Sequence, residues 1–261
     1  MLFRSSDNNS YSKVLEYIEP ETTSWRSFFN KKSNIIYKAY YCAKVNEYKS
    51  ILYPNFSPDI KEIVNTYDIS DEIHLTTKLN ESINSLRFKW YVSIIDKQFG
   101  LKWRSDNAVI LDIGSGRAYL TKLILATYQK TVFINVDSYP MLANQAIELK
   151  NDFPNLEILF IDDSYNFSNL KDDISNYNVL LLPYSLFEKF KTLEALDYFI
   201  FSSHLLSGLP YEIESYYLEY IKKVKMPFFI EGTRADYKKL GYDWHMIKTG
   251  YGLFNSLYFR S

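Results

Sequence analysis

The segment Val109–Gly116 reads VILDIGSG, an apolar run that carries one acid, Asp112, and ends in two glycines. An apolar run that stops at glycine predicts a buried strand followed by a turn. The next apolar residues recur at helical spacing and predict a helix with four residues on one face: Leu120, Leu123, Ile124 and Thr127. Strand, glycine turn and helix in this order are typical of a nucleotide-binding loop, because glycine lets the backbone approach a ligand closely.

The spacing of the glycines distinguishes two classes of ligand. A dinucleotide fingerprint, G-x-G-x-x-G, needs a third glycine at the position where this chain has Tyr119. The pattern present is D-x-G-x-G, with Asp112 two residues before Gly114. A carboxylate at this place attracts a cation and repels a phosphate. The segment therefore argues against a dinucleotide.

The D-x-G-x-G pattern resembles the first motif of class I S-adenosylmethionine-dependent methyltransferases. The resemblance implies that Gly114, Ser115 and Gly116 lie under the methionine part of S-adenosylmethionine and that Asp112 contacts its ammonium group. This cofactor carries an ammonium and a sulfonium but no pyrophosphate, so it suits a carboxylate at the strand end. A glycine turn that binds no ligand is the alternative.

A second acid follows the next predicted strand. Residues 131–137 read TVFINVD, and Asp137 comes 21 residues after Gly116. In doubly wound nucleotide-binding folds, an acid at about this distance accepts hydrogen bonds from the ribose hydroxyls. Ser138 and Pro140 then predict the start of a helix, which makes a simple helix cap the alternative role for Asp137. We expect Asp137 and Ser138 to bind the cofactor.

The alternation of strand and helix patterns continues to the end of the chain. It gives seven strand candidates: Val109–Ile113, Thr131–Asp137, Leu156–Ile161, Val179–Pro183, Asp197–Phe201, Pro227–Gly232 and Leu253–Phe259. We therefore predict an α/β fold with a doubly wound, seven-stranded, mostly parallel sheet of the Rossmann-like class I methyltransferase type. The last two candidates would form an antiparallel edge hairpin. If Leu156–Ile161 is an extra element, Val179–Pro183 becomes the third strand instead.

The strand ends after residue 155 supply the remaining cofactor candidates. The family resemblance implies that one acid of the pair Asp162 and Asp163 lies near the adenine amino group. Pro183, at the end of the following strand, is also predicted to lie at the cofactor site.

The chain before the glycine loop has a different pattern. Residues 1–104 contain helical stripes of aliphatic and aromatic residues, and the first glycine is Gly100. We predict a helical N-terminal extension over 1–104 and a cofactor-binding domain over 105–261. The extension would cover the cleft as a lid and form the acceptor pocket; a packing extension without ligand contact is the alternative.

The catalytic candidates follow from the chemistry of methyl transfer. An alcohol acceptor needs a base, because a hydroxyl is a weak nucleophile at neutral pH. His204 comes just after a predicted strand and is the first candidate base; Glu231 is the second. The loops at the carboxyl ends of the strands are where we expect the acceptor. No cluster of metal ligands is evident, so no metal is predicted.

Three segments narrow the acceptor by resemblance. Residues 179–186, 197–207 and 216–221 resemble the corresponding parts of sugar O-methyltransferases encoded in bacterial surface-polysaccharide gene clusters. That family would have an Asn near Phe201 and a Glu-Met pair near residues 204–208, and this chain has neither. The resemblance implies a hydroxyl of a sugar, nucleotide sugar or surface glycan. A small amine, a carboxylate, a protein side chain, or a non-catalytic scaffold role are the alternatives.

Composition limits the class of protein. The chain has 261 residues, a net charge of −1 and a single cysteine, Cys42, so an intrachain disulfide is excluded. No basic tract predicts nucleic-acid binding. No apolar run approaches the roughly 18 residues that span a bilayer, and the N-terminus lacks a signal-peptide pattern. We expect a cytoplasmic protein with a small-molecule or glycan acceptor and leave homo-oligomerisation open.

Overall fold

A computed structural model describes residues 88–190, 197–203, 211–224, 226–232, 245–248 and 256–260. Predictions that concern other residues, such as residues 1–87 and His204, lie outside this part of the chain. Within it, no helix is long and apolar enough to cross a membrane.

Strands and helices alternate along the described chain. The strands are β1 (Val109–Ile113), β2 (Val132–Asp137), β3 (Ile158–Phe160), β4 (Val179–Pro183), β5 (Phe199–Ser203), β6 (Phe228–Gly232), β7 (His245–Lys248) and β8 (Ser256–Arg260). The helices are α1 (residues 88–99), α2 (Tyr119–Leu125), α3 (Tyr139–Asp152), α4 (Leu170–Asn176), α5 (Phe187–Phe190) and α6 (Tyr211–Val224). Short 3-10 turns occur at Leu101–Arg104, Phe167–Asn169 and Tyr184–Leu186.

The strands form one sheet in the order β3-β4-β2-β1-β5-β6-β8-β7. Neighbours from β3 to β6 pair in parallel, whereas β8 pairs antiparallel with both β6 and β7. The predicted doubly wound, mostly parallel sheet is confirmed. The predicted number of seven strands is wrong, because the described residues contain six parallel strands and two antiparallel ones. The strand without a sequence prediction is β7, and it covers the side of β8 that was expected to be the sheet edge.

The order of the outer strands is the one expected if Leu156–Ile161 is an extra element. β4 pairs directly with β2, and β3 is an additional strand outside β4. β4 therefore takes the position of the third strand counted outward from β1. This exchange decides which loop lies next to the end of β2.

Two apolar layers cover the two faces of the sheet. Successive side chains of a strand point to opposite faces, so Ile110 packs in one layer while Leu111 and Ile113 pack in the other. Helices α1, α2 and α3 contribute to the first layer, and α4, α5 and α6 to the second. Burial on both faces explains why the central strands read as continuous apolar runs.

The chain reverses its direction of winding beside β1. It proceeds from β1 to β2 and β4 on one side and from β5 to β6 on the other. In open α/β sheets the ligand cleft lies outside the carboxyl ends of the strands at such a switch point. The hydroxyl of Ser202 in β5 donates to the carbonyl of Ile113 in β1 at 2.9 Å, which joins the two strands at that end.

At the amino ends of the strands, α1 is fixed by a buried ion pair. Asp96 accepts hydrogen bonds from Arg104 Nε at 2.7 Å and Nη2 at 2.6 Å, and from Trp103 Nε1 at 2.9 Å. The hydroxyl of Thr131, which precedes β2, donates to the Arg104 carbonyl at 3.0 Å. Residues 88–104 thus share a core with the sheet, while the domain boundary at residue 104 stays a prediction.

Candidate functional site

The glycine turn after β1 is held against β2. Gly114 N–H and Ser115 N–H both donate to the carbonyl of Val136, at 2.8 Å and 3.3 Å. Gly114 has φ +80° and Gly116 has φ +53°, values that favour glycine. A Cβ on Gly116 would meet only the Gly114 carbonyl oxygen, at 4.0 Å, so this glycine is needed for its backbone conformation rather than for space.

Asp137 joins the glycine turn to the start of α3. Its Oδ2 accepts from Gly116 N–H at 2.8 Å, and its Oδ1 accepts from Ser138 N–H at 2.7 Å. Burial raises the pKa of Asp137, and these hydrogen bonds act in the opposite direction because they favour the carboxylate. Asp137 thus bonds the N–H of the N-cap residue of α3 as well as the glycine turn, and its side chain is still partly exposed.

Asp112 is buried in β1 next to this turn. Its relative exposure is 2%, and its register partners are Asn135 in β2 and Phe201 in β5. Among the described residues, none makes a hydrogen bond or an ion pair with its carboxyl group. Burial raises the pKa of Asp112 well above its usual range, and the negative charge of Asp137 raises it further. The ionised carboxylate lacks a counter-charge within the described part of the chain.

Because β3 lies outside β4, the loop after β4 is next to Asp137 and the loop after β3 is farther away. Asp137 pairs with Pro183 at the end of β4, so Pro183 and Tyr184 follow on that side, and Tyr184 is 59% exposed. Asp162 and Asp163 follow β3, one strand farther out. Asp162 accepts from the backbone N–H and the hydroxyl of Ser164, at 2.9 Å and 2.6 Å, and Asp163 is exposed.

The catalytic candidates follow the strands on the other side of β1. β5 ends at Ser203, so His204 comes directly after it and lies outside the described residues. Glu231 is a backbone partner of Ser203 in β6. The topology thus brings the ends of β1, β5 and β6 to one edge of the sheet.

Sequence reasoning missed the position of Tyr217. This residue of α6 is 3% exposed, and its ring centroid lies 5.0 Å from that of Phe187. Burial raises the pKa of Tyr217 to about 12, and negative charge on Asp137 and Tyr184 adds to the effect. Helix α6 therefore brings a tyrosine into the electrostatic neighbourhood of Asp137. The sequence signal for this position is a helical stripe over residues 211–224, in which Tyr217 lies on the apolar side.

A buried polar network under the glycine turn was also missed. Gln145 of α3 donates to the Ser115 hydroxyl at 2.8 Å and to the Gly116 carbonyl at 2.6 Å. Its own amide oxygen accepts from Asn135 at 2.9 Å. Asn135 interrupts an apolar strand and Gln145 interrupts an apolar helix stripe, and each interruption was a usable signal.

Metal binding has no support within the described segments, where no three His, Cys, Asp or Glu side chains are grouped so that they could hold an ion.

No protein-family model matches the chain, and no curated protein is similar to it. Solved structures are similar to it at low identity. Magnesium protoporphyrin IX methyltransferase from Synechocystis PCC 6803, with bound SAM, has a TM-score of 0.45 and 12% identity over 82% of this chain and 97% of that one. A putative O-methyltransferase from Nostoc punctiforme PCC 73102 has a TM-score of 0.46 and 8% identity over 71% and 59%.

PKMT2 from Rickettsia typhi, in complex with AdoHcy, is a third similar structure. Its TM-score is 0.32 and its identity 18%, over 48% of this chain and 21% of that one. This chain therefore spans about a fifth of the length of PKMT2.

Proposed function

We propose that the chain is a methyltransferase that uses S-adenosylmethionine. The observation that carries the proposal is Asp112, a buried carboxyl beside a glycine turn that no described residue pairs with a donor or a charge. Burying an ionised group without a partner is costly, and a cationic ligand offsets that cost. The ammonium group of the cofactor supplies both the charge and the donors.

The neighbouring residues fit the rest of such a ligand. A carboxylate offers about four acceptor positions. Asp137 uses two for the backbone N–H groups of Gly116 and Ser138, and the Ser138 hydroxyl also acts on it, which leaves at least one for a ribose hydroxyl. The turn from Gly114 to Gly116 leaves room for the methionine part because its two glycines carry no side chains. Pro183 and Asp162 or Asp163 are the candidates on the adenine side.

The bound cofactor supplies a methyl group on a positively charged sulfur. The chain's residues have to place the acceptor in line with that methyl group and keep water out. His204 is proposed to take a proton from an acceptor hydroxyl or to orient it, and Glu231 is the second candidate. Both follow or belong to strands that end at the same edge of the sheet as β1.

The proposed acceptor is a hydroxyl of a sugar, a nucleotide sugar or a surface glycan. Support comes from the sequence resemblance over residues 179–186, 197–207 and 216–221. Residues 1–104 are proposed to form the lid and the acceptor pocket. A cytoplasmic role in polysaccharide biosynthesis belongs to the same proposal.

Calorimetry with the purified chain tests the cofactor. We expect S-adenosylmethionine to bind and NAD not to bind. Asp112→Asn keeps the shape of the side chain and removes its charge, so it should weaken binding about 10- to 100-fold. Asp106→Asn is the matched control, because Asp106 is exposed, and it should bind as the wild type does. A folded wild-type protein that binds no S-adenosylmethionine would rule out the proposal.

A mass-spectrometric screen then tests the acceptor. Nucleotide sugars are compared with small amines and carboxylates, and transfer of one methyl group is measured. Methylation of an amine or a carboxylate, with none of the sugars, would contradict the proposed acceptor and leave the cofactor assignment intact. Cofactor binding without any transfer would favour a scaffold.

A further inference from the structure

Four buried polar side chains form a continuous hydrogen-bonded chain beneath the glycine turn. They come from α2, β2, α3 and the turn itself: Thr121, Asn135, Gln145 and Ser115, with relative exposures of 0%, 0%, 1% and 5%. We call this set the buried relay. Gln145 contacts the turn, and Asn135 and Thr121 follow Gln145 in the chain of hydrogen bonds.

The direction of each hydrogen bond in the relay is fixed by one end. The Gly116 carbonyl can only accept, so the group of Gln145 that lies 2.6 Å from it must be the amide nitrogen. Gln145 therefore presents its oxygen to Asn135, which has to donate at 2.9 Å. Asn135 Oδ1 is then an acceptor for the Thr121 hydroxyl, at 3.2 Å.

Both amide groups of the relay are fully used. The two N–H groups of Gln145 bind Ser115 and Gly116, and the two N–H groups of Asn135 bind Gln145 and Thr121 at 3.1 Å. A flip of either amide would place two acceptors or two donors against each other. A fully satisfied buried network of this kind allows one arrangement and makes it rigid.

The relay acts on the proposed ligand site through one residue, Gly116, whose N–H and carbonyl belong to successive peptide groups. The Gly116 carbonyl accepts from Gln145, while the Gly116 N–H donates to Asp137 at 2.8 Å. Gln145 therefore restrains the residue whose N–H orients the Asp137 carboxylate. Its second N–H occupies the Ser115 oxygen, so the Ser115 hydroxyl hydrogen has no acceptor within the described residues.

We propose that Gln145 is a positioning residue that, supported by Asn135 and Thr121, holds the glycine turn and Asp137 in the geometry that binds the cofactor. The proposal rests on the function proposed above. It assigns Gln145 an effect on affinity without contact with the ligand. It also leaves the Ser115 hydroxyl as a donor for an acceptor atom of that ligand.

Two substitutions at residue 145 separate positioning from packing. Gln145→Met keeps the length of the side chain and removes both donors, and we expect the Kd for S-adenosylmethionine to rise about 10-fold. Gln145→Glu keeps the shape of the side chain but places an acceptor against the Gly116 carbonyl. Near pH 8 we expect it to raise the Kd more than Gln145→Met does. Protonation of that glutamate restores one donor, so the ratio of variant to wild-type Kd should fall as the pH is lowered.

Matched controls come from another glutamine and from the far end of the relay. Gln98→Met and Gln98→Glu change an exposed residue of α1 and should leave the Kd unchanged at every pH. Thr121→Val removes only the hydroxyl at the far end of the relay, so its effect should be smaller, about 2- to 3-fold. Comparing variant with wild type at each pH cancels the titration of Asp112, which both proteins share.

Hydrogen exchange of the protein without ligand gives a readout that does not depend on binding. With Gln145→Met, the Gly116 amide should exchange faster relative to the amides of β2, because the carbonyl of the same residue has lost its donor and the glycine turn is less restrained. Uniform acceleration across the sheet, without a local change at Gly116, would show that Gln145 only adds stability and would overturn the proposal. An unchanged Kd in a folded Gln145→Met protein would also overturn it.

The two proposals fail in different ways. If the wild type binds no S-adenosylmethionine, the proposed function fails, whatever the exchange data show. If the wild type binds and Gln145→Glu shows no recovery at low pH, only the relay fails. Should Gln145→Met not fold, the pH dependence of Gln145→Glu and the Kd of Thr121→Val decide the question.

Discussion

The parallel sheet has a buried carboxyl group at each end of its strands, here called the amino edge and the carboxyl edge. The two groups differ in whether described residues bind them. At the amino edge, Asp96 accepts three hydrogen bonds from Arg104 and Trp103. At the carboxyl edge, Asp112 has no partner among the described residues. The first acid is satisfied within the described residues, whereas no described residue satisfies the second.

The same contrast extends to the groups around each acid. Arg104 is 1% exposed, its guanidinium lies 5.0 Å from the centre of the Tyr128 ring, and its carbonyl accepts from Thr131. Around Asp112, the nearest charge that shifts its pKa is another acid, Asp137. The acid at the amino edge is therefore compensated within the described residues, whereas the acid at the carboxyl edge lies where the ligand is proposed to bind.

The largest effect is expected at the amino edge. Asp96→Asn removes the charge that pairs with the buried Arg104 guanidinium, so the free energy of unfolding should fall by about 3–5 kcal/mol. Urea denaturation measures it. Asp106→Asn, at the surface, should change stability by less than about 0.5 kcal/mol. A loss as small as that of the control would mean that the Asp96 pair is not structural.

At the carboxyl edge, a binding residue and a catalytic candidate should behave differently. Asp137→Ala removes the acceptor of the Gly116 N–H and the proposed ribose contact, so the Kd for S-adenosylmethionine should rise about 10- to 100-fold. His204→Ala should leave that Kd unchanged and slow methyl transfer, which calorimetry and turnover measurements separate. Unchanged turnover would remove His204 from the catalytic role.

The contrast predicts a variant that gains stability. A carboxyl whose pKa is raised by folding binds its proton more tightly in the folded state, so stability falls as the pH rises above the unfolded value. Asp112→Asn removes this loss, and its Tm near pH 7 should exceed that of the wild type by about 2–4 °C. The difference should shrink as the pH approaches 4. If it stays constant with pH, the ionisation of Asp112 does not oppose folding.

The smallest effect concerns protons released on binding. A cation beside Asp112 favours its carboxylate form, so binding lowers the pKa of Asp112 and releases protons. Affinity should therefore weaken as the pH falls below the raised pKa, by less than about tenfold per pH unit. Calorimetry in two buffers of different ionisation enthalpy counts the protons. Asp112→Asn should release fewer of them, and equal release would assign the protons to another group.

Sequence analysis identified the parts of the site that depend on local pattern. VILDIGSG specifies β1 and its turn because the apolar run, the acid and the glycines lie within eight residues. The end of α1 before Gly100 is local in the same sense, since Gly100 has φ +68°. The roles assigned to the candidate cofactor-binding residues and to His204 stay predictions.

The number and order of the strands depended on contacts that are not local. β3 has three residues and β7 has four, and strands this short are defined by the partners they pair with. The predicted helix face through Thr127 also extended too far, because α2 ends at Leu125 and Thr127 is exposed. The sequence pattern alone does not predict these features, because they depend on tertiary contacts.

The position of the cleft also determines when it forms during synthesis. One wall, β1, pairs with the other, β5, through residues 89 positions apart in the chain, as Ser202 and Ile113 show. At about 5–20 residues per second, a ribosome needs about 4–18 seconds to supply that span. The glycine turn is therefore translated well before its opposite wall exists, and Asp112, which lies between β2 and β5, becomes fully enclosed only when β5 arrives.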